Sequence, residues 1–99
     1  SQTDAAILSG FVYNGAHVWL STENQYNYKA AYDLAVQTGG ETLPVTFKLG
    51  SDEHPEYHTF NRLDELKDFY IKAVGFIQTV LADGWKKKDK FNLDLYQIE

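Results

Sequence analysis

The sequence predicts an α+β domain in which two antiparallel β-hairpins form a small sheet, packed on one face by a middle helix and a long C-terminal helix. Three observations carry that prediction. Asn14-Gly15 stands between two β-favouring runs and supplies the positive-φ pair that a tight hairpin turn needs. Leu43 to Leu49 alternates apolar and polar residues, the period of a strand with one wet face. Leu66, Phe69, Tyr70, Ala73, Val74, Ile77, Val80, Leu81 and Trp85 recur at steps of three and four, the period of an amphipathic helix. The order hairpin, helix, hairpin, helix has no βαβ rhythm, which favours antiparallel pairing with helices to one side.

Taken in order, Ile7 to Leu20 reads as the first hairpin. Its turn sets Tyr13 opposite Ala16, Phe11 opposite Val18 and Ser9 opposite Leu20 on an apolar face, with Val12 opposite His17 and Gly10 opposite Trp19 on the other. Ser21-Thr22-Glu23-Asn24-Gln25 offers an N-cap hydroxyl, with Thr22 and Gln25 at capping-box spacing and an acid in the first turn. The helix this starts is expected to bury Tyr28, Ala31, Leu34 and Ala35 and to stop at Gly39-Gly40. Pro44 places the next strand near an edge, Gly50 to Pro55 makes a turn, and Glu56 to Phe60 returns. Asn61 is the expected cap of the long helix, with Asp64 and Glu65 in its first turn. That helix either ends at Gly84 or carries on towards Lys90. Residues 1–6 are expected to be flexible and 91–99 to form a tail or short strand, all within one domain spanning 1–99.

Ninety-nine residues suffice for one domain with a modest core, and 43% hydrophobic with 15% aromatic content excludes a disordered tail. The absence of cysteine excludes disulfide scaffolds, thiolate zinc sites and thiol catalysis. A formal net charge of −5 argues against general nucleic-acid binding. Lys86, Lys87, Lys88 and Lys90 are the local exception, and they read better as cations favouring a helix C-terminus than as an anion-binding patch. No apolar run reaches the length of a membrane span, and no signal-peptide layout opens the chain, so a soluble protein is expected. A start at Ser1 and the lack of any Met predict a piece of a longer protein.

Chemistry-bearing motifs are sparse. Asp52-Glu53-His54-Pro55-Glu56-Tyr57-His58 gathers carboxylates and histidines, but Pro55 pushes His54 out of helical geometry, and on an extended chain positions 54 and 58 lie about 13 Å apart. A solvated hairpin loop is expected there, with no metal and no cofactor. No pair of acids or histidines converges, and nucleophile-elbow and phosphate-loop motifs are absent, so no catalytic residue is assigned and an enzyme is not expected. Val12, His17 and Trp19 share the second hairpin face, which reads equally as an aromatic binding patch or oligomer contact, or as a surface covered by the second helix or the tail. Phe69, Ala73 and Trp85 are candidate contact residues, because the helical stripe offers more apolar surface than one small sheet can cover.

The segments GFVYNGAHVWLSTENQYNY, LPVTFKL and HTFNRLDELKDFYIKAVGFIQTVLADG together resemble an uncharacterised domain family of bacterial and phage proteins, often found in tail-associated chains. The resemblance covers about residues 10–90 and is most specific from Ser21 to Tyr28, with Glu23, Gln25 and Asn27. It implies a structural or attachment role in phage or prophage tails, in the virion or the bacterial cytoplasm, with protein partners: further copies of itself or other tail components. It brings no catalytic residues. The expected function is a non-enzymatic structural or interaction module; the alternative is a small glycan- or ligand-binding module built around Trp19.

Overall fold

The computed structural model describes residues 2–97, with side chains from 4 to 93. In chain order it comprises α1 (Gln2–Ser9), β1 (Phe11–Tyr13), β2 (Ala16–Val18), α2 (Thr22–Gln37), β3 (Val45–Gly50), β4 (Pro55–Phe60) and α3 (Leu63–Gln97). The class is α+β, with two hairpins and a long C-terminal helix. The hairpins do not merge into one sheet. β1 pairs with β2 and β3 with β4, and although β2 lies beside β3 the two share no ladder.

The first hairpin keeps the register its turn dictates: Phe11 opposite Val18, Val12 opposite His17, Tyr13 opposite Ala16. Asn14 and Gly15 both take positive φ, 48° and 83°, the type I′ pair whose twist matches the flanking strands. The ladder is shorter than the sequence suggests, because Gln2–Ser9 is helical rather than flexible or extended. Asp4 in its first turn and Ala5-Ala6 favour a helix, and Gly10 closes it at φ 74°, donating to the Ile7 carbonyl at 3.0 Å. A Cβ on Gly10 would lie 1.7 Å from the Val18 carbonyl oxygen, so no other residue fits that corner.

At the start of α2 the N-cap is Ser21, whose Oγ accepts from the Asn24 amide at 3.1 Å. Thr22 and Gln25 do not form a capping box. The Gln25 side chain instead donates to the Leu20 carbonyl at 2.9 Å, and Asn24 Nδ2 to the Trp19 carbonyl at 3.0 Å. Two side chains thereby tie the end of the hairpin to the helix that follows it. Tyr28 and Ala35 are buried as expected, whereas Leu34 faces solvent and Tyr32, stacked on Tyr70 at 4.7 Å, takes up the packing. The helix ends at Gly39-Gly40, both at positive φ, with Gly40 donating to Ala35 at 2.8 Å. Asn61 does not cap α3. Arg62 precedes the helix, its carbonyl accepts from Leu66, and its guanidinium reaches Asp64 at 2.7 Å.

Phe69 is the centre of the core, wholly buried, with the rings of Phe11, Tyr13, Tyr28, Phe47 and Phe60 all between 5.0 and 6.5 Å away. β1, α2, β3 and β4 thus each bring a ring to one residue of α3. Phe47 and Leu49 point inward from β3 while Thr46 and Lys48 stay wet, as the alternation requires. The core stops early along α3. Beyond Ile77 no described side chain of the helix is buried, and from Trp85 to Leu93 every one is exposed. Gly84 does not end the helix, and residues 91–97, expected as a tail or strand, extend it; 98 and 99 lie outside the described residues. Thirty-five residues make about 52 Å of helix. The molecule measures 61 × 33 × 21 Å, with a radius of gyration of 17.1 Å against about 13 Å for a compact chain of this size.

Candidate functional site

Two surfaces carry the sequence's candidate residues. The first is the outer face of the first hairpin. Val12 is 64% and Trp19 47% exposed, with His17 half-buried between them, so among the described residues nothing covers this face fully. His17 and Trp19 form a ring pair at 4.2 Å, and His17 Nε2–H donates to the Ser9 carbonyl, which fixes both rings against the end of α1. Val12 lies directly across the ladder from His17.

Trp19 also borders a groove of about 490 Å³. Its far wall is the stretch Thr46 to Asp52 on β3 and the turn after it; its near wall is Asn24, Asn27 and Tyr28 on α2. Lys48 and Asp52 pair across 3.4 Å at its mouth, both exposed. In the sequence Asn27 stands out only in the stretch that carries the resemblance and Asp52 only in the Asp52–His58 cluster, and neither they nor Lys48 are joined there to Trp19. The outward alternation of Thr46 and Lys48 was the available signal, but nothing local says that α2 lies opposite them.

The second surface is α3. Phe69 and Ala73, expected as contact residues, are 0% and 3% exposed and belong to the chain's own core, so they are not available to a partner. Trp85 is 62% exposed and is available. It shares one flank of the helix with Ile71, Val74 and Leu81, which follow the three-and-four steps of a heptad line on the side turned away from Phe69. Alongside this line lies a mostly apolar groove of about 290 Å³ between α2 and α3, with Tyr26, Tyr70, Val74 and Ile77 in its walls. The sequence stripe joined core and free residues, because both faces of a helix buried on one side and wet on the other can be apolar.

A third open groove, of about 520 Å³, is bordered by Tyr13, His58, Asp64, Glu65 and Asp68. Here the Tyr13 hydroxyl donates to Asp68 Oδ2 at 2.9 Å, and Lys72 Nζ donates to the same oxygen at 3.0 Å while sitting 5.3 Å from the centre of the Tyr13 ring. Burial, reinforced by the hydrogen bond to Asp68, pushes the Tyr13 hydroxyl up to about 12. The hydrogen bond from Lys72, then that from Tyr13, holds the Asp68 carboxyl below its ordinary range. A phenol held neutral beside a carboxylate held ionised is a lock rather than an acid and base poised near neutrality. His54 lies in the β3–β4 turn and His58 on β4, and among the described residues no three histidines or acids are grouped to hold a metal ion. Among the described residues no helix is long and apolar enough to cross a membrane.

Compared with known proteins, the chain matches no family model, no curated protein and no solved structure.

Proposed function

We propose that this chain is a non-enzymatic structural module that associates with a second copy of itself through α3, the two helices running antiparallel. The observation that carries this is the distal part of α3, which leaves the core and keeps Trp85 and Ile71 exposed on one flank, with Val74 and Leu81 half-buried between them. An exposed helical stretch is held by propensity alone, whereas most helical stability in proteins comes from a packed face. A partner supplies that face.

Charge selects the partner and its direction. Between residues 78 and 93 four lysines stand against two aspartates, while the whole chain carries −5, so the acid excess lies in the body. Parallel pairing would set the lysines of both copies side by side. Antiparallel pairing about Leu81 sends each lysine-rich arm over the acidic body of the other copy. It also brings Trp85 of each copy to the groove beside Val74, where Tyr26 and Tyr70 offer aromatic walls. The resemblance of residues 10–90 to tail-associated domains supports placing such a module in a phage or prophage tail chain.

Sedimentation equilibrium tests the association. The wild-type chain is expected to be a dimer and Trp85→Glu a folded monomer; a wild-type chain that stays monomeric at high concentration removes the proposal.

A further inference from the structure

We infer that the groove beside Trp19 is a binding site for a short extended peptide, which pairs with the open edge of β3 and completes the split between the two hairpins. The first observation is which residues line it. Thr46, Phe47, Lys48, Leu49 and Gly50 all border the groove, although alternate side chains of a strand point to opposite faces. A cavity that touches five consecutive residues of a strand runs along its edge, not over one face.

That edge is open. β3 has one ladder, to β4, and outside it none of its backbone groups is hydrogen-bonded to the backbone of another described residue. Every second residue therefore presents an unpaired N–H and C=O towards the groove. β2 lies on this side but contributes three residues against six in β3, and the chain then turns away at Trp19 to be capped by Ser21. The shortfall of three residues is about 10 Å of edge. An extended peptide segment fills such a gap with backbone hydrogen bonds, the mode of strand addition between a sheet edge and a helix.

Side chains around the gap suit the same occupant. Trp19 is held by its ring contact with His17 and by the Asn24 bond to its carbonyl, so its exposed face is a fixed platform for an apolar side chain. Asn27 on the opposite wall makes no side-chain hydrogen bond to any described residue and can serve the peptide backbone. Asn24 and Asn27 lie on the side of α2 opposite to Tyr26 and Lys29, which border the apolar groove used in the dimer. The peptide site stays open when α3 pairs, so it goes beyond the proposed self-association and stands independently of it.

The test selects binders from a displayed library of random linear heptapeptides, on both the wild-type chain and Trp85→Glu, and resynthesises the recovered sequences. Amide shifts are expected along Thr46 to Gly50 together with the Trp19 indole, and Trp19→Ala is expected to weaken binding at least tenfold. N-methylation of peptide amides is expected to abolish binding at one parity of positions and spare the other, since an edge pairs with alternate residues. Recovery of no peptide, binding indifferent to N-methylation, or shifts elsewhere on the surface each overturn the inference. So does saturable binding of oligosaccharides at Trp19 without any peptide, which would make the groove a glycan site.

Discussion

Tyr13 is the residue where packing and electrostatics meet. Its ring is buried edge-on to Phe69 at 5.0 Å, yet its hydroxyl must find a partner at the rim, and Asp68 one helix face away supplies it. The two groups give opposite pH dependences. Tyr13 is raised on folding from 10.0 to about 12, so its contribution is fully present below pH 10 and is lost as the pH climbs through the folded value. Asp68 is lowered from 3.8, so its contribution is present above that value and fades as the pH falls through the depressed one. Urea midpoints measured across pH are therefore expected to decline between about pH 10 and 12 in the wild type, and Tyr13→Phe is expected to flatten that limb. A wild-type midpoint unchanged up to pH 12 would show that the phenol titrates normally. The pairing of Tyr13 with Asp68 was not legible in the sequence, because 55 residues separate them and no local pattern aligns a hairpin rim with a helix face. Phe69 teaches the same lesson differently. Its place on the stripe marked it as apolar, but five rings converging from four other elements, and not its spacing, decide that it is core rather than contact.

Within elements, local chemistry was most legible where one residue type permits one geometry. Asn14-Gly15 fixed a turn, and of the five cross-strand pairs the turn implies the three nearest it are present, while Gly10 with Trp19 and Ser9 with Leu20 are not laddered because Gln2–Ser9 is helical. Helix starts were less legible, since several residues compete for one role. Ser21, Thr22, Asn24 and Gln25 can all cap, and the competition is won by Ser21 because Asn24 and Gln25 are spent on the Trp19 and Leu20 carbonyls. Ser21→Ala is accordingly expected to cost about 1 kcal/mol in chemical denaturation, with Thr22→Ala near neutral. Equal losses for the two would return the cap to Thr22. The termini were misread for a related reason. Ile7-Leu8 favours a strand by composition, but two alanines before it and Gly10 after it close a helical turn, and residues 91–97 continue a helix whose period is masked by four lysines set around it.

On the scale of the whole molecule, the departure from compactness is itself the functional clue. Among the described residues the buried core reaches only the first half of α3, and from Trp85 to Leu93 every side chain is exposed. If the second half of the helix is stabilised by a second copy, the stability of the fold depends on protein concentration, by about 1.4 kcal per mole of dimer for each tenfold change. The melting temperature of the full chain is then expected to rise with concentration, while a chain ending at Asp83, which keeps Phe69, Phe76 and Ile77 but loses Trp85 and the lysines, is expected to melt at one temperature throughout. Salt separates the two forces at work. The arm's lysines are exposed, so 0.5 M sodium chloride, with a Debye length of about 4 Å, is expected to weaken the dimer by screening them without unfolding the body. Association that strengthens with salt would assign the contact to Leu81 and Trp85 with no help from charge, and would leave the antiparallel direction unsupported, because the lysines are what forbid the parallel one.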